Sequence, residues 1–109
     1  MRVSRLRLVV AGAVLALSLP AGAGNDHKIV QKDFSFSEKE VRVHVGDKVV
    51  FVNADPVPHN VYSLSKGQEF EIRSQMPGQA DPVPFNRPGT AEVRCAIHPK
   101  MKMMVHVAQ

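Results

Sequence analysis

The sequence predicts a small all-β domain, built as an antiparallel sandwich or barrel. Three observations lead there. Short runs alternate apolar and polar residues with period two, Pro and Gly separate those runs, and no stretch beyond residue 23 carries a 3.6-residue apolar period. Roughly six to eight short strands are expected, in one domain with a modest core.

The elements follow in chain order. "KIVQKDFSF" (28–36) is rich in β-formers and reads as the first strand. "VRVHV" (Val41 to Val45) alternates strictly, with three valines on one face and Arg42 and His44 on the other. Gly46 and Asp47 read as a tight turn into "KVVFVN" (48–53), so these two runs are expected to pair as a hairpin. "NVYSL" (60–64) and "EFEIR" (69–73) alternate next. The segment from Arg73 to Asn86 is poor in strand signals and rich in Pro, Gly and Gln, and reads as a loop crossing the surface. "RPGT" (87–90) turns the chain into "AEVRC" (91–95), and "MMVHV" (103–107) closes it with Val105 and Val107 on one face. "DPVPHN" (55–60) and "DPVPFN" (81–86) are near copies, both read as loops, and two short copies do not make a repeat architecture.

Residues 1–23 read as a secretory signal peptide. A basic head, "MRVSRLR", precedes an apolar run from Leu8 to Leu19, and Ala21 to Ala23 supply the small residues of a cleavage site. The twelve residues of that run are too few to span a bilayer, which needs about 20. Cleavage after Ala23 leaves residues 24–109 as the mature domain, with no membrane span, and places it in the periplasm. It also removes Arg2, Arg5 and Arg7, so the formal charge falls from +4 to +1. The basic pI is then largely a targeting feature, and with no basic run or aromatic-basic alternation a nucleic-acid partner is not expected.

Cys95 is the one cysteine of the chain. A lone thiol in an oxidising compartment needs a partner chain, burial or a metal. It opens "CAIHPKM", which brings Cys95, His98 and Met101 within seven residues, at a turn between two strands. Zinc more often takes further Cys or His, or a carboxylate. Covalent haem attachment needs Cys-x-x-Cys-His, which is absent. A thioether suits copper, and two histidines, one cysteine and a weak axial methionine make a blue-copper ligand set. That set lacks one histidine. His44 and His106 alternate with valines and read as strand exteriors, and His27 falls in the frayed new N-terminus. His59, between Pro58 and Asn60, remains. Its counterpart in the second DPVP copy, Phe85, reads as an apolar loop residue.

"PHNV" (58–61) followed by "PGTAEVRCAIHPKM" (88–101) resembles the cupredoxins, the type 1 blue copper proteins, and among them the amicyanin and plastocyanin-like group. The resemblance covers essentially the whole mature chain. It implies a Greek-key β-sandwich with one copper at one end, held by His59, Cys95, His98 and Met101. It also implies that Asn60 ties the two ligand loops together by hydrogen bonds. Met103 competes with Met101 for the axial position. Met101 is preferred because Val105 and Val107 then fall in the inward phase that follows the short amicyanin-type loop, and Pro99 follows the ligand histidine as it does there. One departure is the absence of an aromatic residue in "AEVRC".

The function so implied is one-electron carriage between redox partners, copper cycling between Cu(I) and Cu(II). The alternative is copper binding and delivery without electron transfer. An enzyme is not expected, because a fully ligated mononuclear site leaves no position for substrate. The resemblance implies a monomer whose redox partners dock transiently near His98. Val57, Pro58, Pro99 and the methionines are expected to form an apolar rim there, flanked by Lys100 and Lys102.

Overall fold

The computed structural model describes residues 24–109, and the expected signal peptide, residues 1–23, lies outside them. Nine strands follow in chain order: β1 (Asp26–Lys32), β2 (Ser35–Phe36), β3 (Glu40–His44), β4 (Lys48–Asn53), β5 (His59–Ser63), β6 (Phe70–Gln75), β7 (Ala80–Pro84), β8 (Gly89–Cys95) and β9 (Lys102–Ala108). They form two sheets, ordered β2-β1-β4-β7 and β3-β9-β8-β5-β6, packed as a β-sandwich. The β1–β4 and β3–β9 pairs are parallel and the others antiparallel, so both sheets are mixed.

Period-two alternation builds the core. β4 points Val49 and Phe51 inward, β8 points Ala91 and Val93, and β9 points Met103, Val105 and Val107. Ile29, Val43, Val61 and Phe85 complete the layer between the sheets. Each fully buried Val, Ile or Phe side chain contributes about 1.5–3 kcal/mol.

Four expectations are corrected by the fold. The turn at Gly46 and Asp47 exists, with Gly46 at φ 95°, but β3 and β4 are not a hairpin. They enter opposite sheets, because the backbone around the turn is committed elsewhere. Val45 N–H donates to Ala108 O at 2.7 Å, and Gly46 N–H donates to Phe85 O at 2.8 Å. The first expected strand is split in two by a turn at Asp33 and Phe34, whose φ angles are 52° and 57°.

The segment 73–86 is not a loop. It holds the end of β6 and the whole of β7, so the second DPVP copy is an edge strand while the first is a loop. Prolines survive in β7 because of their phase. Phe85 N–H donates toward β4, to Asp47 O at 2.9 Å, so Pro82 and Pro84 set their missing N–H groups on the open side of the edge. Phe85 itself is 2 % exposed and stands edge-on to Phe70, 6.0 Å between centroids. It is a core residue.

Candidate metal centre

The inward phase of the strands delivers the donors. His59 opens β5 in phase with buried Val61 and Ser63, and Cys95 ends β8 in phase with Ala91 and Val93. The last pair of the β8–β9 ladder is Arg94 with Lys102. Cys95 and Met101 are the next residue on either side, so both fall on the inner face at the loop that joins the strands. Met103 is opposite Val93, one inward position deeper in the core. A 2.9 Å hydrogen bond from Met101 N–H to His98 O turns that loop back under itself. Met101 is buried, at 1 % exposure.

His59, Cys95 and His98 converge, with one donor atom of each within 4.8 Å of the others. Cys95 Sγ lies 3.5 Å from His59 Nδ1 and 3.7 Å from His98 Nδ1. Metal–ligand bonds of about 2.1 Å in a trigonal plane separate their donors by about 3.6 Å, so this spacing suits one ion. Two imidazole nitrogens, a cysteine sulfur and a buried thioether beneath the same loop form a type 1 copper arrangement. The other histidines lie apart from it. His44 is exposed and His106 half-exposed on outer faces, as expected. His27 is not frayed: it sits in β1 with Nε2 2.9 Å from Asp47 Oδ2.

The surroundings fix the tautomer of His59. Its ring is fully buried, and Nε2 lies 2.7 Å from Asp55 Oδ2, also buried. A carboxylate can only accept, so Nε2 carries a proton, and in a neutral ring Nδ1, the nitrogen turned toward Cys95, holds the lone pair. Burial pushes the Asp55 carboxyl up, but hydrogen bonds from His59 and from the backbone of Phe34 and Asp33 outweigh it and hold the group below its ordinary value. Sequence reading missed Asp55, because an Asp before Pro is an ordinary turn residue. The signal available was its four-residue spacing to His59.

Cys95 Sγ accepts from Asn60 N–H at 3.5 Å, and Ala96 N–H donates to Asn60 O at 3.0 Å. The main chain of Asn60 therefore ties the two ligand segments together. Its side chain does not: Asn60 Oδ1 accepts from Ser74 N–H at 2.6 Å, at a residue with φ 47° on β6. The expected role of Asn60 is thus carried by its backbone.

His98 is half-buried where the other two donors are buried. The rim around it differs from expectation. Met101 and Met103 are core residues at 1 % exposure, whereas Phe34 is 48 % and Ile97 50 % exposed. Phe34, from the turn between β1 and β2, lies 4.5 Å from the His98 ring, centroid to centroid. Phe34, Ile97, Pro99 and Lys100 line a groove beside His98.

Comparison with known proteins agrees with this geometry. The family described as copper binding proteins, plastocyanin/azurin family, matches residues 24–108. Amicyanin-alpha of Methylorubrum extorquens is 34 % identical over 91 % of this chain and 84 % of its own. The methylamine utilization protein MauL of the same organism is 30 % identical, over 94 % and 90 %. The solved Cu(I) structure of a methionine-to-alanine mutant of amicyanin superimposes with a TM-score of 0.70 at 25 % identity, over 75 % of this chain and 81 % of that one.

Proposed function

The chain belongs to the copper-binding proteins of the plastocyanin/azurin family, and from that premise we propose that His59, Cys95, His98 and Met101 hold a single type 1 copper for exported one-electron carriage. The observation that supports the ligand set is the meeting of His59 Nδ1, Cys95 Sγ and His98 Nδ1 at one end of the sandwich, with Met101 one step past the last β8–β9 pair. When bound, copper supplies the Cu(I)/Cu(II) couple.

The chain's own part is to hold donors still. His59 is clamped by Asp55, Cys95 is the buried end of a paired strand, and Met101 is folded under a hydrogen-bonded turn. A site whose donors move little between oxidation states transfers electrons with little rearrangement. Copper delivery is the less favoured reading, because handing over the metal requires ligand exchange and His59, Cys95 and Met101 are all buried. The half-buried His98, at the rim of Phe34, Ile97 and Pro99, is the point for electron entry and exit. Exposed Lys100 and Lys102 beside it suit a redox partner with an acidic face, met transiently by a monomer. Among the described residues no helix is long and apolar enough to cross a membrane. Residues 1–23 would direct the domain to the periplasm, with the mature chain starting at Gly24.

The test is the visible spectrum of the purified mature protein after addition of Cu(II). An intense thiolate-to-copper band with reversible one-electron voltammetry is expected. Stoichiometric copper binding without the band, or with slow, irreversible redox, overturns the carrier reading.

A further inference from the structure

Two consecutive non-glycine residues, Asp33 and Phe34, adopt left-handed backbone at φ 52° and 57°. Left-handed backbone is uncommon for such residues and persists only when the surroundings enforce it. Here one carboxylate enforces it. Asp55 Oδ1 accepts from Asp33 N–H at 2.6 Å and Oδ2 from Phe34 N–H at 3.2 Å. The same Oδ2 is 2.7 Å from His59 Nε2. Asp55 is itself held in place, its N–H donating to Asn53 Oδ1 at 2.9 Å, and Ala54 N–H donates to Gln31 O at 2.8 Å. The turn so fixed carries the Phe34 ring onto His98, at 4.5 Å and 51°, and edge-on to His59 at 6.3 Å.

Phe34 is 48 % exposed, and its ring contacts are with the two imidazoles of the site, so core burial does not account for its place on this turn. We infer that Phe34 is a lid over the half-buried ligand His98, and that Asp55 is the positioning residue that latches it, so that one buried carboxylate orients the inner ligand and closes the outer one. The inference rests on the ligand set proposed above. The lid excludes water from the part of the His98 ring that Phe34 covers, and the latch makes that exclusion a property of the rigid sandwich and not of a free loop.

The experiment has two measurements. The first is amide hydrogen exchange of Asp33 and Phe34 in the copper-free and copper-loaded protein. Hydrogen bonds to a charged acceptor predict protected amides in this surface turn, and exchange about ten- to a hundredfold faster in Asp55→Asn. The second is relaxation of bulk water protons by the Cu(II) protein in the unmodified chain, Asp55→Asn, Phe34→Ala and the double variant. Enhancement is expected in both single variants, with the double variant no greater than Phe34→Ala alone.

Asp33 and Phe34 amides that exchange at unprotected rates in the unmodified protein overturn the latch, whether or not Asp55→Asn folds. Unchanged water relaxation in Phe34→Ala overturns the lid. Relaxation raised by Phe34→Ala but not by Asp55→Asn separates the two residues and overturns their coupling. Failure of the ligand reading shows differently, as an absent thiolate band in the unmodified protein, while amide exchange in the copper-free chain still decides the latch.

Discussion

His59 Nδ1 and Cys95 Sγ face each other across 3.5 Å although 36 residues separate them in the chain. The contact joins the first residue of β5 to the last of β8, two strands that pair antiparallel from Val61–Cys95 onward. The ladder sets the position of Cys95, and Asp55 sets the orientation of His59.

Replacing the thiol tests that relationship first. Cys95→Ser is expected to abolish the intense visible band of the Cu(II) protein while leaving the copper-free fold intact, since Ser is close to isosteric at this position. The visible spectrum, with far-ultraviolet circular dichroism as the folding check, decides it. A Cys95→Ser protein that keeps the band removes Cys95 from the site.

The axial position follows from the ladder. Met101→Leu is expected to raise the reduction potential and leave copper bound, because a weak donor that favours Cu(II) is lost. Met103→Leu, opposite Val93 in the core, is expected to leave the potential nearly unchanged at a stability cost below about 1.5 kcal/mol. Voltammetry of both variants checks this, and the reverse pattern assigns the axial role to Met103.

At the far end of the sandwich, Asp47 pins the N-terminal strand. Backbone hydrogen bonding from His44, then the His27 side chain and the Asn25 backbone, lower its pKa from 3.8 to about 2 against the opposing effect of desolvation. A depressed carboxylate stabilises the fold above its unfolded value, and that stabilisation fades as pH falls from about 4 through about 2. Asp47→Asn is therefore expected to be less stable than the unmodified protein at neutral pH, with the gap closing toward pH 2. Urea titrations of the copper-free proteins across that range measure it, and a gap independent of pH contradicts it.

Phe85 is a core side chain, so Phe85→Ala is expected to cost about 3–5 kcal/mol of stability in the copper-free protein. Half-buried Val57, in the loop of the first DPVP copy, should cost clearly less when cut to Ala. Denaturant midpoints of the two variants give the comparison. Equal, small effects would return Phe85 to the surface.

Much of this site could be read from the sequence. Cys95, His98 and Met101 are close in the chain, so a single loop carries them, and His59 followed by eliminating histidines on alternating strands. The alternation of "MMVHV" already placed Val105 and Val107 on one face, and the structure buries both. Asp55, Phe34 and the packing of Phe85 were not legible. Asp and Pro before a histidine read as turn chemistry, and an aromatic in "KDFSF" reads as a strand residue, until the partners 21 and 22 residues away are in place.

By itself the sequence determined the all-β class, the inward phase of runs such as "MMVHV" and the residue types proposed as donors, because side-chain direction in a strand alternates locally and ligand preference belongs to the residue type. Only the tertiary structure decided which strands share a sheet. The turn at Gly46 and Asp47 looks the same whether its strands pair or part, and the choice came from hydrogen bonds to Phe85 and Ala108, distant in the chain. The same holds for the surroundings of the site. Asp55 is only four residues from His59, but its hydrogen bonds to Asp33 and Phe34 reach 22 and 21 residues along the chain, and those contacts, with the placing of Phe34 on His98, come from tertiary packing that no local pattern encodes.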